Sequence, residues 1–324
     1  MSKIVYTNQA NTILSDTSLG IYTYCLTRTR VSFPHTIMGI DGIHGVYLTE
    51  QDGIFAILSD VSLKEYSEAA LDKHITDMAW LVPRAKRHEE VIEFVMTHAT
   101  LNQHVISNSP LSPLTIPPPV PLTEGEKGGG GVLLSKKDIS TGQHTPVVPL
   151  RFCTIYKNQE GLFETIMPHK EQIINFLDYT ADKTEWSVKV FCDKTIFVKY
   201  FDKDKEPSAT TAQTSLLPGE AYLLAKKMRK IKEENFKQDL QMYLKDIDFT
   251  LSQFAESYRH LQCTDKSIHG RPLDMVMNTA FLVEQQTFTM FKDTLDMLAE
   301  KYRNEGLAFE FSGPWPPYNF CPAL

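Results

Sequence analysis

Three groups of residues in this chain have the types and spacing that chemistry requires, and each is measured first against what its chemistry demands. His88-Glu89-Glu90 begins like a zinc-protease helix, in which two histidines one turn apart hold the metal and the glutamate activates water. The second histidine would have to stand at position 92, and Ile92 stands there. No metal pair is expected from that segment, and His88 is expected to tie its helix to a neighbouring sheet. His260, Cys263 and His269 form the one metal-like cluster, but their spacing is irregular and no fourth ligand lies near in sequence. Arg151, Glu185 and Lys189 are the polar residues that could line a small-ligand or catalytic pocket. Arg151 lies inside the apolar run Val147 to Tyr156, where a guanidinium needs a carboxylate or several carbonyls as partners.

Phosphate-binding signatures fail by the same comparison. Gly39, Gly42 and Gly45 are spaced as GxxGxxG with no strand-to-helix context, so they read as a turn. Gly128 to Gly131 lacks the GK[ST] ending of a P-loop. The five cysteines are scattered, form no CxxC pair and suit a reducing compartment. No convergent nucleophile, base and oxyanion donor emerges, so neither catalytic residues, cofactor nor metal is expected.

The elements that would position these residues can be read in turn. At 324 residues the chain is long enough for two cores. Its formal charge of -7 argues against general nucleic-acid binding. No apolar run is long enough to span a bilayer and no secretory apolar block follows Met1, so the expected place is the cytoplasm. Residues 1 to 18 read as a loose leader. Strands are expected at Ile21 to Thr27, Gly45 to Thr49 and Ile54 to Ser59, the last two as a hairpin across Gln51-Asp-Gly53. Helices are expected from Ser67 to Val82, ended or kinked by Pro83, and from Arg84 to His98.

Residues 102 to 146 break the pattern. Six prolines between Pro110 and Pro121 precede the glycine run, which predicts a stiff then flexible insertion; the alternative reading makes Ser109-Pro110 to Pro121 a ligand for a proline-reading partner. Order resumes with a strand over Val147 to Tyr156, a helix over Gly161 to Tyr179 and a strand over Glu185 to Cys192, with a further short strand at Thr195 to Phe201. No glycine or proline occurs between Glu220 and Cys263, where Phe236, Leu240, Tyr243, Ile247, Leu251, Phe254, Tyr258 and Leu261 recur at steps of three and four. This is read as a helical insertion over 219–263, and its basic run Lys226, Lys227, Arg229, Lys230 and Lys232 as a solvated face. A strand over Met275 to Val283, a helix over Gln286 to Tyr302 and a closing strand over Leu307 to Phe311 complete the order.

The expected architecture is α+β in two domains. The first is a small α+β domain over 19–155 that carries the 102–146 insertion. The second is a ferredoxin-like domain over 156–324, with the strand near Val148 to Tyr156 or its continuation as its first. After the closing strand, Gly313 permits a turn and Pro314, Pro316 and Pro317 stop pairing, while Trp315, Tyr318 and Phe320 ride on a stiff segment. That tail, 313–324, either covers its own domain or docks another protein.

In chain order, Leu81-Val-Pro-Arg-Ala-Lys-Arg-His-Glu-Glu-Val91, Val148-Pro-Leu-Arg-Phe152, Glu185-Trp186 with Lys189, Gly219 with Tyr222 and Leu223, and Gly313-Pro-Trp-Pro-Pro-Tyr-Asn-Phe320 resemble the landmarks of the gas vesicle F/L (GvpF/GvpL) family. They span the chain from about Ile21 to Phe320, and the closing octet is the most specific. The resemblance implies a non-enzymatic accessory protein in a prokaryotic cytoplasm, associated with gas vesicles. It also implies contacts with the hydrophobic shell protein and other gas vesicle accessory proteins while the shell nucleates or grows. Its signature residues here are Arg151, Phe152, Trp186, Trp315, Pro316, Pro317, Tyr318 and Phe320. The chain departs from the family in Cys153, where the family usually has glycine after PLRF, and in the size of the 102–146 excursion. The alternative is a small-ligand-binding or enzymatic protein using Arg151, Glu185 and Lys189.

Overall fold

The computed structural model describes residues 19–98, 133–134, 144–204 and 218–324. The leader and nearly all of the 102–146 insertion therefore lie outside the described residues. The elements are β1 (Leu19–Thr27), β2 (Val46–Gln51), β3 (Ile54–Ser62), the short helices α1 (Leu63–Tyr66) and α2 (Glu68–His74), α3 (Met78–His98), β4 (Leu133–Leu134), β5 (Val148–Pro149), β6 (Ile155–Tyr156), α4 (Gln159–Ile166), α5 (Lys170–Tyr179), β7 (Lys183–Cys192), α6 (Lys194–Asp204), α7 (Pro218–Ser252), β8 (Ser257–His260), α8 (Lys266–His269), β9 (Asp274–Glu284), α9 (Phe288–Tyr302) and β10 (Leu307–Trp315). Helices and sheets are mixed, an α+β fold.

Two compact units divide the chain, and neither is continuous. The first takes residues 1–119, 138–185 and 314–324, and the second takes 120–137 and 186–313. They part at Glu185 and at Gly313.

In the first unit the sheet order is β2-β3-β1-β5, with β6 also on β1. Asp52 and Gly53, at φ 53° and 80°, make the two-residue turn that the twist of a β2–β3 hairpin favours. A register shift between Thr23 and Cys25 interrupts the pairing of β1 with β3. The bulge lets Tyr22, Tyr24 and Cys25 all join the cluster built with Trp80, Val91, Ile92 and Val95 of α3. Ile21 and Leu26 join the opposite cluster, with Leu162, Phe163 and Ile166 of α4 and Ile173, Phe176 and Leu177 of α5. Helices thus cover both faces of this sheet, and β1 is buried from Gly20 to Thr27.

Several expectations are corrected here. The run Val147 to Tyr156 is not one strand: β5 and β6 are separate two-residue pieces, both antiparallel to β1. Its middle is a turn in which Thr154 N donates to Arg151 O at 3.1 Å. Pro83 neither ends nor begins a helix but lies inside α3. The break falls earlier, because Asp77 caps α3: its carboxylate accepts from Ala79 N at 2.9 Å.

In the second unit the sheet order is β4-β10-β7-β9-β8, with β8 antiparallel to β9 and β4 parallel to β10. One face carries Trp186, Val188, Val190, Phe281, Phe309 and Phe311, packed on Phe197 of α6, Leu240, Ile247 and Leu251 of α7, and Phe291, Leu295 and Leu298 of α9. Thr195 to Phe201, expected as a strand, is helix, because Asp193 accepts from Thr195 N at 2.9 Å and Ile196 N at 3.1 Å and so nucleates α6. The seam read as helix as far as Leu261 stops at Ser252, and its last part is the strand β8. β10 extends past Gly313 to Trp315, beyond the stop that the prolines had suggested, with Gly313 at φ 140°.

Candidate functional site

The most developed polar arrangement lies in the first unit, around the closing octet. β1 places Tyr22 and Tyr24 side by side on the α3 face, and α3 places His88 against both rings, 5.7 Å from Tyr22 and 5.8 Å from Tyr24 between centroids. The turn after β5 adds Phe152, edge-on to His88 at 5.7 Å. His88 is 2% exposed, so its two ring nitrogens must find protein partners. Nδ1 meets Tyr22 Oη at 2.8 Å and Nε2 meets Tyr318 Oη at 3.0 Å. The tie expected between this helix and the sheet is therefore the Tyr22 bond, and a second tie reaches the tail.

One proton arrangement satisfies the whole chain of bonds. Cys153 N donates to Tyr22 Oη at 3.0 Å, and Tyr318 Oη donates to Glu89 Oε1 at 3.0 Å. Tyr22 Oη–H then donates a hydrogen bond to Nδ1, and Nε2–H donates one to Tyr318 Oη. Such a chain needs a neutral imidazole, and burial lowers His88 to about 4, against a smaller opposing effect of the Leu150 backbone. Burial, with Glu89 nearby, pushes the Tyr318 hydroxyl well above the usual phenol range.

The tail has a second anchor. Asn319 donates from its backbone N to Glu185 Oε2 at 3.0 Å and from Nδ2 to Oε1 at 2.5 Å. Burial raises Glu185 to about 7, opposed by these two donors and aided by the negative charge of Glu89. Around these adjacent anchors Pro316 and Pro317 are buried, Tyr318 packs on the α3-side cluster and Phe320 on the α4/α5-side cluster. Trp315 is 37% exposed. Cys153 adopts φ 64°, a left-handed conformation in which glycine would be unstrained, and its backbone N–H is the donor to Tyr22.

The remaining sequence candidates lie apart from this arrangement, except Glu185. Trp186, in the second unit, stacks on Phe288 at 4.5 Å and Phe311 at 4.9 Å. Arg151, expected to be buried and paired, is exposed, because the chain turns outward there. Lys189 donates to Glu310 Oε1 at 3.0 Å, and Glu310 Oε2 takes Arg271. Glu185 is held by Asn319. The alternative polar site thus loses two of its three charges to bonds within their own units.

The metal-like histidines go separate ways. His260 Nδ1 meets Thr279 Oγ1 at 3.2 Å, His269 Nδ1 accepts from Arg271 N, and Cys263 is exposed. Among the described residues, no group of three or more His, Cys, Asp or Glu could hold a metal ion. Thr279, His260 and Asp248 have the order of a nucleophile, base and carboxylate. However, Thr279 is 0% exposed and His260 stands 3.6 Å from Asp248, so no substrate reaches the hydroxyl. Sequence reasoning missed Glu89, Glu185 and Asn319 as anchors. Their partners lie 229 and 134 positions away, beyond any local signal.

Comparison with known proteins places this arrangement in context. The family model described as gas vesicle synthesis protein GvpL/GvpF matches residues 20–101 and 139–322. A gas vesicle protein L from a Streptomyces species is 22% identical over 305 residues, covering 93% of this chain and 92% of that protein. Gas vesicle protein L1 of Halobacterium salinarum is 23% identical over 321 residues, covering 95% and 92%. Among solved structures, GvpF from an Anabaena species aligns with a TM-score of 0.60 at 17% identity, over 95% of this chain and 98% of that one. GvpF from Microcystis aeruginosa aligns with a TM-score of 0.56 at 17% identity, over 94% and 99%. These structural likenesses concern the fold.

Proposed function

The chain belongs to the gas vesicle GvpL/GvpF family, and from that premise we propose that it is a non-catalytic accessory protein of gas vesicle formation. In this reading it works in the cytoplasm, associated with gas vesicles, and binds the hydrophobic shell protein and other accessory proteins while the shell nucleates or grows. The observation that carries the reading is the family match over nearly all of the described chain. The use of the best polar cluster to hold the tail is in keeping with it, because both nitrogens of His88 are already engaged and no reacting group is exposed there. No helix among the described residues is long and apolar enough to cross a membrane.

The second unit is read as ferredoxin-like, with β7 as the first strand of a βαββαβ series. What supports this is the strand order β10-β7-β9-β8, which runs fourth, first, third, second. α6 and α7 then form the first crossover, in place of an insertion. We read the signature residues as dividing by role: Phe152, Tyr318 and Phe320 pack inside the first unit, with Pro316 and Pro317 buried, Trp186 packs inside the second, and Arg151 and Trp315 are the more exposed ones.

Deleting the gene in a vesicle-forming host tests the function. Loss or malformation of vesicles, restored by the intact chain, is the expected result, and unchanged vesicle number and shape would sink it. A pull-down against the shell protein with Trp315→Ala separates docking from packing. Trp315 is 37% exposed: weakened capture at an unchanged melting temperature is the expected mark of docking, and a lowered melting temperature with capture retained would make it a packing residue.

A further inference from the structure

α7 carries two apolar stripes, and only one of them is used within the second unit. Leu240, Ile247 and Leu251 face the sheet. On the opposite side Met228, Ile231, Met242 and Phe249 are 51%, 40%, 60% and 68% exposed. At 100° per residue these four fall within about 60° of one another along a stripe of roughly 30 Å, as two apolar pairs, Met228 with Ile231 and Met242 with Phe249, separated by Asn235, Gln238 and Asp239. α9 widens it: Asp246, one turn from both Met242 and Phe249, accepts from Lys301 Nζ at 3.2 Å, and Met297, one turn before Lys301, is 57% exposed. Methionines dominate, and their unbranched side chains adapt to a helical partner.

Charge says what fits. From Lys226 to Lys232 the helix is basic and contains no acid, on a chain whose formal charge is -7. Every described side chain from Lys226 to Glu234 is exposed, so this half of the helix packs on none of the unit's core clusters. A second copy is a poor match. Laid parallel it sets lysines against lysines, and laid antiparallel it calls on Asp246 and Asp248, which face Tyr302 with Lys301 and His260 respectively. An anionic membrane matches the lysine half but is repelled by Asp239, Asp246 and Asp248 along the other half.

We infer that the outer stripe of α7 is a docking site for an amphipathic helix of another protein, with an apolar stripe at three-four spacing and acidic residues over the half that meets Lys226 to Lys232. This goes beyond the proposed function, since it names a face and the chemistry of its occupant and holds whatever assembly that occupant belongs to.

The probe is a labelled 24-residue peptide with leucines at alternating steps of three and four and glutamates along one half, titrated with the full chain and followed by fluorescence anisotropy. The expected result is binding that weakens with salt, and weakens at least about tenfold when Met242→Ser and Phe249→Ser are combined. Lys226→Glu with Lys230→Glu should remove most of the salt dependence. Both pairs are exposed, so melting should stay at the wild-type value. A peptide with lysines in place of the glutamates serves as the opposite arm. Equal binding of the two peptides, binding unaffected by the methionine and phenylalanine changes, or no binding would overturn the inference. So would association with phosphatidylglycerol vesicles or self-association of the chain in place of peptide capture. A chain that ignores the peptide yet supports vesicle formation defeats this inference alone, and one that binds the peptide but supports no vesicles defeats only the proposed function.

Discussion

The α3 face of the first unit's sheet and the helix-covered face of the second unit's sheet are buried with different materials. The first buries hydroxyls and an imidazole: Tyr22, Tyr24, Tyr66 and His88 are each 0–2% exposed, and each side chain is hydrogen-bonded. The second buries hydrocarbon: Phe197, Phe281, Phe291, Phe309 and Phe311 are 0–3% exposed, with Trp186 stacked among them. An apolar core yields gradually to substitution, through cavity and lost contact. A polar core is all or nothing, because removing one member leaves its buried neighbours without partners. The first unit therefore encodes a single arrangement of its tail more strictly than packing alone would.

The sharpest way to break this contrast is a cavity in the dry core. Phe309→Ala should cost about 3–5 kcal/mol, read by denaturant unfolding. Residue-resolved hydrogen exchange should show the loss first in β7, β9 and β10. Loss spread evenly over both units would erase the distinction.

Next in size is Tyr318→Phe, which keeps the ring and deletes one hydroxyl. It removes the hydroxyl that bonds both Nε2 of His88 and the Glu89 carboxylate, and should cost about 1–3 kcal/mol despite a change of one atom. A cost near zero would mean that the polar network adds nothing to the tail's hold.

The smallest effect, and the most diagnostic, is in pH. Glu185 is raised from 4.5 to about 7, so its contribution to stability is fully present below about 4.5 and is lost as pH rises through about 7. His88 is lowered from 6.5 to about 4, so its contribution is present above about 6.5 and is lost as pH falls through about 4. The two slopes oppose one another between about 4.5 and 6.5, and wild-type stability should be nearly level there. Glu185→Gln removes one slope, so stability of that variant should climb with pH over the same interval. Chemical denaturation at four or five pH values distinguishes the curves, and parallel profiles would show that Glu185 does not titrate in that range.

How much of this was legible follows from the range of each interaction. The β2–β3 hairpin, the β9 and α9 periods and the closing strand are local patterns, and they appear where the periodicity puts them. α6 was misread because Thr195, Ile196, Phe197 and Val198 have strand propensity, which the Asp193 cap overrides. β8 was absorbed into a helix because Tyr258 and Leu261 prolong the three-four spacing past Ser252, a coincidence that pairing with β9 overrules. The tail's aromatics were visible as a signature, but their destination was not. His88 and Tyr318 are 230 positions apart, and nothing in either neighbourhood names the other.

The division at Gly313 has a consequence for the order of events during synthesis. His88, Glu89 and Glu185 leave the ribosome long before Tyr318 and Asn319, which satisfy them. At roughly 5–20 residues per second the interval after Glu185 is on the order of ten seconds. Throughout that wait the nascent N-terminal portion can bond His88 to Tyr22 through Nδ1 but lacks the groups that the tail brings to Nε2, Glu89 and Glu185, while the intervening second unit can already condense. The portion made first is thus the last to mature.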